Sequence, residues 1–269
     1  VYWFVQDQYI EERLAIHALI LINLQCNDII ETACGIKMRD TDRDIIRNLN
    51  LFCDMQPQRF EALLTAAYAQ QFPAHVDLIR EGDPADFLYV VLEGSVELFS
   101  ASHGRESSMA VVTPVSTFIL AATIKDAPYL MSARTIAPSK LLLMPSRNVR
   151  SAFDDDPDFA RAIVTELATC YRSVVKSMKN LKLRTAIERV GNYIVRLHDK
   201  SGRADIVELP FGKRNLASIL GMTPENLSRA FGALQSHGIL MDGARIEITD
   251  RAALEAICKP NPLIDDPLS

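Results

Sequence analysis

Apolar positions in residues 42–69 recur at helical spacing, and Pro57 starts a fresh helix inside the stretch. From Pro73 the rhythm shortens. "HVDLIREGDPADFLYVVLEGSVELFSASHGRESSMAVV" has short runs rich in Val, Leu, Tyr and Phe, broken by turn signals at Gly82-Asp83-Pro84, Glu93-Gly94 and His103-Gly104. Short strands at near-regular spacing predict a small sandwich or barrel, which "LMSARTIAPSKLLLMP" continues. Residues 157–199 then run without a breaker after Pro157, as a long helix does, and a second helix begins near Thr185 where the apolar face shifts. "SGRADIVELP" reads as a loop and a short strand, and the final stretch as helix, turn, helix, hairpin.

Within the long helix, Val164, Leu167, Tyr171, Val174, Met178 and Leu181 step by three and four. The stripe is short for a free coiled coil, so it fits either a dimer helix backed by other contacts or a face packed on the strand region. Lys176, Lys179 and Lys182 keep its flanks solvated, which favours the dimer.

The last helices carry the chemistry. "KRNLASIL" is a short amphipathic helix with Leu216, Ile219 and Leu220 inward. Gly221 supplies a tight turn, Thr223 caps the next helix and Pro224 fits its first turn. That helix buries Leu227, Phe231 and Leu234, which leaves Glu225, Ser228 and Arg229 together on the opposite face near its start. "GILMDGARIEI" adds two strands about Asp242-Gly243, completing a winged helix-turn-helix pattern. Such a helix enters the major groove, where arginine pairs with guanine, a carboxylate accepts from cytosine and a hydroxyl meets a phosphate or base. Phosphate contacts are expected from Lys213, Arg214, Asn226 and the wing's Arg245, with Thr223 at the helix start. Lys176, Lys179, Lys182, Arg184 and Arg189 either add long-range attraction or simply solvate their helices.

Composition changes this picture little. The 269 residues suit one large domain or two modest ones, and the net charge of −5 argues against bulk nucleic-acid binding but not against a local basic surface. Five scattered cysteines without a C-x-x-C pair fit a reducing cytoplasm better than a disulfide framework. The apolar run "LAIHALILINL" is too short to span a bilayer and lacks the flanks of a signal peptide. "MRDTDRDIIRNLNLF" from Met38 reads like a natural start, so residues 1–37 are expected to be an extension, the alternative being an amphipathic helix packed on the body.

A strand-rich sensor, a seam helix and a winged helix-turn-helix, in that order, resemble the CRP/FNR superfamily of bacterial transcription regulators. "IREGDPADFLYVVLEGSVELF" and "LASILGMTPENLSRAFGALQSHGIL" carry the resemblance most specifically. It implies an α+β chain: an N-terminal double-stranded β-helix (a cyclic-nucleotide-binding-like jelly roll), a long dimerisation helix and a C-terminal winged helix-turn-helix. The expected divisions are 1–40 extension, 41–156 sensor, 157–184 dimerisation helix and 185–269 reader. The FNR-type branch carries Glu-x-x-Ser-Arg on its recognition helix, matched here by Glu225, Ser228 and Arg229. The resemblance implies a homodimer on a palindrome close to TTGAT-N4-ATCAA, with RNA polymerase as a further partner. The branch that senses cyclic AMP has an extra arginine where Pro224 stands, which argues against that type of site.

The signal is less determined. Cyclic-nucleotide sensors of the superfamily keep a Phe-Gly-Glu stretch followed by an Arg-Ser or Arg-Thr pair for the phosphate. Here Phe118 is followed by Ile119 and Leu120, and Ala127-Pro128 stands where the arginine pair belongs, so ordinary cyclic-nucleotide binding is not expected. Phe118, Leu120, Leu130 and Arg134 are the candidate effector-pocket residues, with "FILAATI" suited to an apolar small molecule. Cys26, Cys34 and Cys53 are too widely spread for the iron–sulfur cluster of FNR-type oxygen sensors. His17, His75 and His103 leave haem open as a gas-sensing cofactor, although a lone histidine is more often a surface or core residue. Three alternatives stand beside the small-molecule, gas or redox regulator: a cyclic-nucleotide-responsive regulator of the same fold, a sensor module that binds no DNA, and an enzyme using the strand region as a barrel. The last lacks a metal cluster, a nucleophile elbow and a phosphate-binding glycine loop.

Overall fold

The computed structural model describes residues 40–266. His17, Cys26, Cys34 and the expected extension up to residue 39 lie outside the described residues. Helices α1 (Asp40–Arg47) and α2 (Pro57–Thr65) lead into the strands β1 (Tyr68–Phe72), β2 (Asp77–Ile79), β3 (Phe87–Glu93), β4 (Val96–Ser102), β5 (Arg105–Val112) and β6 (Ser116–Phe118). A short helix α3 (Leu120–Lys125) precedes β7 (Ser132–Thr135) and β8 (Ser139–Pro145). These strands form two antiparallel four-stranded sheets in the orders β1-β8-β3-β6 and β2-β7-β4-β5.

The period-two geometry of a strand explains the continuous apolar runs. Alternate residues of β3 and β8 point to opposite faces, and both faces are covered. Tyr89, Val91, Leu141 and Leu143 fill the space between the two sheets with Val96, Leu98, Phe118 and Ala133. Leu88, Val90, Leu92, Leu142 and Met144 pack outward against Phe52, Phe60, Val149 and Phe159 of the helical layer. At the expected turn after β3, Gly94 has φ +85°, and a Cβ there would run into the Pro138 carbonyl and Ser139. A buried ion pair helps fasten α1 to this body: Lys140 Nζ lies 2.6 Å from Asp42 Oδ2, with both side chains almost wholly buried.

Two elements differ from the sequence reading. Helical spacing was expected to continue to Ala69, but the helix ends at Thr65 and Tyr68–Phe72 is a strand. The long-range pairing of Tyr68–Phe72 with Ser139–Leu143 overrides the local pattern. Helix α4 (Ser146–Asp155), unforeseen, then joins the roll to the long helix α5 (Pro157–Leu183).

Asp156 starts α5. It is fully buried, and its side chain accepts from the backbone N–H groups of Asp158 (3.1 Å), Phe159 (3.0 Å) and Gln56 (2.8 Å). Burial alone would raise this carboxyl; the three N–H donors reverse that and hold it below the usual carboxylate range.

The C-terminal part comprises α6 (Ala186–Lys200), β9 (Ile206–Glu208), α7 (Lys213–Ile219), α8 (Pro224–Gln235), β10 (Ile239–Asp242), β11 (Arg245–Ile248), α9 (Arg251–Cys258) and α10 (Pro262–Asp265). Thr185 and Glu188 close a reciprocal capping box at the head of α6. A core of Val190, Ile194, Leu216, Leu227, Phe231, Leu234, Ile239, Ile246 and Leu254 holds the helices to the sheet β10-β11-β9. The chain is therefore α+β: an antiparallel roll, a long helix and a C-terminal winged helix-turn-helix.

Candidate nucleic-acid interface

Local sequence chemistry builds the reader. Thr223 has extended backbone geometry, its hydroxyl accepts from Asn226 N at 3.3 Å, and Pro224 occupies the first helical position, where no N–H is needed. Leu227, Ala230, Phe231 and Leu234 are buried on one side of α8. The other side presents Glu225, Ser228 and Arg229, all exposed. Arg229 Nη2 donates to Asn226 Oδ1 at 2.7 Å, so Asn226 orients the guanidinium. The Thr223 hydroxyl, the Glu225 backbone N–H and the Arg229 charge hold the Glu225 carboxyl below its ordinary range, keeping it an acceptor. Lys213 and Arg214 are exposed at the start of α7. Arg245, in the wing, is exposed and lies 3.8 Å from Glu208 on the neighbouring strand. An acceptor, a hydroxyl and an oriented guanidinium at the head of one helix, flanked by cations, have the chemistry to read base edges.

Most of the stripe on α5 is exposed. Val164 is 59% exposed, Tyr171 70%, Val174 59%, Met178 52% and Leu181 44%. Leu167 packs partly on the roll's helical layer. The cations around the stripe separate into two groups. Lys182 is exposed and Lys179 half-buried, whereas Lys176 donates to the Asp266 carbonyl at 2.7 Å. Arg184, almost wholly buried, makes a two-pronged pair with Asp265, which also meets Arg196 at 2.8 Å. Arg189 turns inward onto backbone carbonyls. Arg184 and Arg189 thus serve the fold.

A contact that sequence reasoning missed joins reader to roll. Ser218 Oγ of α7 accepts from Ser108 N of β5 at 2.7 Å and lies 3.1 Å from Ser107 Oγ. Asn215 donates to Glu97 Oε1 at 3.1 Å, and Glu97 also receives Ser108 Oγ and, at 2.7 Å, Arg134 Nε. No local sequence signal marks a serine on a helix and a serine on a distant strand as partners.

The four candidate effector residues do not converge. Phe118 stacks on Tyr89 between the sheets with ring centroids 5.0 Å apart, while Leu120 belongs to the helix-facing core. Leu130 is 82% exposed. Arg134 lies over the Phe99 ring at 4.3 Å and pairs with Glu97 and Glu106. His75 and His103 are exposed at turns near opposite ends of β4, six residues or about 20 Å apart along the strand. Cys53 and Cys170 are exposed on the helical layer and on α5, and Cys258 is buried in the reader.

Residues 188–257 match the Crp-like helix-turn-helix domain family, and residues 69–156 match the cyclic nucleotide-binding domain family. A curated relative, the CRP-like cAMP-activated global transcriptional regulator of Mycobacterium tuberculosis, is 23% identical over 217 residues, covering 78% of this chain and 97% of its own. A solved regulatory protein of Silicibacter pomeroyi DSS-3 is 29% identical, with 82% of this chain and 100% of that one covered and a TM-score of 0.55. FixK2 of Bradyrhizobium japonicum, 24% identical over 71% of this chain and 96% of its own with a TM-score of 0.61, shares the fold.

Proposed function

The chain belongs to the CRP/FNR superfamily of transcription regulators, and from that premise we propose that it is a homodimer that reads a TTGAT-like palindrome under the control of a signal received by the roll. The observation that carries this reading is the joint exposure of Glu225, Ser228 and Arg229 at the head of α8, with the opposite face of that helix in the core. Arg229 bonds the guanine of each half-site in a two-pronged fashion. Glu225 accepts from the cytosine amino group on the opposite strand, and Ser228 meets a phosphate or base. Lys213, Arg214, Thr223, Asn226 and Arg245 anchor the phosphates, so affinity falls steeply with salt.

The dimer forms along Val164, Leu167, Tyr171, Val174, Met178 and Leu181; the exposure of all of these but Leu167 supports this role. It places two recognition helices one turn of DNA apart, roughly 34 Å. RNA polymerase follows as a partner by family analogy. The pairing of Arg134 with Glu97 and Glu106 supports an effector other than an ordinary cyclic nucleotide. The packed interior around Tyr89 and Phe118 is apolar and aromatic, chemistry that favours a small apolar or gaseous effector over a charged one. A titration of labelled TTGAT-N4-ATCAA against a scrambled duplex, with sedimentation of the free protein, tests the reading. Preference for the palindrome by a dimer is expected; a monomer, or equal affinity for both duplexes, contradicts it.

A further inference from the structure

The turn of the helix-turn-helix sits on the end of the α5 stripe. Gly221 has φ +62°, and a Cβ on it would come within 2.5 Å of Leu181 Cδ2, the side chain that closes the stripe. Beside this contact, Arg189 of α6 reaches back. Its Nη1 donates to the carbonyls of Leu181 (3.3 Å) and Arg184 (3.1 Å), and its Nη2 to the carbonyl of Gly221 (3.4 Å). Those three carbonyls belong to three different pieces: the last turn of α5, the break between α5 and α6, and the reader's turn.

The chemistry favours a cation there. The Leu181 carbonyl is one of the last four of α5, which the helix itself leaves unsatisfied, and positive charge suits that end of the helix dipole. The guanidinium makes its contacts through Nη1 and Nη2, all to backbone carbonyls. The same break is fixed from the other side by Arg184 and Asp265. Two residues beyond Gly221, Thr223 begins the recognition helix, whose direction follows from this junction.

We propose that Arg189 is a positioning residue for two-site DNA reading. By joining Leu181, Arg184 and Gly221 it sets the recognition helix at a fixed angle to the dimer seam, so that both helices of a dimer meet their half-sites together. The inference rests on the dimeric reading above and adds a residue that touches no base.

The test compares wild type with Arg189→Met on a full palindrome and on a duplex with one half-site, alongside sedimentation. A misaligned pair of readers still binds one half-site. The ratio of palindrome to half-site affinity is therefore expected to fall about tenfold while half-site affinity and dimer mass stay unchanged. An unchanged ratio overturns the role of Arg189. So does an equal loss on both duplexes, the behaviour of a residue that merely supplies charge to DNA or holds the domain together. Arg189→Lys keeps the charge but spans fewer of the carbonyls, and its ratio should lie between the two. If the methionine variant does not fold, the lysine variant decides alone by the same criterion. A wild-type protein without preference for the palindrome would instead overturn the DNA reading itself.

Discussion

Asp156 joins three backbone donors from two parts of the chain, which makes its removal a sharp probe of how α5 is anchored. In Asp156→Ala the N–H groups of Asp158 and Phe159 lose their cap, and that of Gln56, a hundred residues away, loses its partner. Loss of a cap costs about 1 kcal/mol and an orphaned part-buried donor about 1–3 kcal/mol, giving about 2–4 kcal/mol together. Asp156→Asn keeps one acceptor oxygen and should lose less. The effect carries a pH signature. The folded pKa lies below the ordinary carboxyl value, so the stabilisation is fully present above the unfolded value of about 3.9 and fades as pH falls through the folded one. Urea denaturation followed by far-UV circular dichroism, at neutral pH and in steps into acid, measures both. A loss under about 0.5 kcal/mol at neutral pH, or a loss that grows in acid, would refute the assignment of the three bonds to the carboxylate.

Three further outcomes follow from the same structure. Asp42→Asn leaves the Lys140 ammonium buried beside a neutral group and should cost about 3–5 kcal/mol in urea denaturation, whereas Asp42→Leu combined with Lys140→Met should recover most of it. Ser218→Ala removes the acceptor for the Ser108 amide, so hydrogen exchange at Ser108 should quicken while that of Val90 stays slow. Burial hides the Cys258 thiol and pushes it up to about 11, whereas Cys53 and Cys170 are exposed, so iodoacetamide should label Cys53 and, more slowly because burial and Glu166 raise its thiol too, Cys170 in the folded protein, and reach Cys258 only after unfolding.

What the sequence reveals of this molecule is what neighbouring residues decide. Gly221, Thr223 and Pro224 spell out a turn, a cap and a first helical turn in consecutive positions, so the reader is legible without any partner. The α5 stripe is legible for the same reason, since its apolar residues recur at helical spacing. Tyr68–Phe72 is not, because "YAQQF" carries no strand alternation and takes its form from β8. The chemistry of the cations also depends on distant chain. Arg184 and Arg189 look like surface charges beside Lys179 and Lys182, yet Asp265 and the Gly221 carbonyl draw them inward. Likewise Arg134 belongs to Glu97 and Glu106, and Ser218 to Ser108, through pairings that no spacing announces.

The account turns on Arg229 reading a base. Binding constants for wild type and Arg229→Ala on the TTGAT palindrome, on the same palindrome with both guanines exchanged, and on random duplex at fixed salt measure this directly. The variant should lose about 1–3 kcal/mol on the palindrome and no longer distinguish the exchanged site, with random-duplex affinity nearly unchanged. The same loss on all three duplexes would show that Arg229 supplies only charge, and would contradict the account.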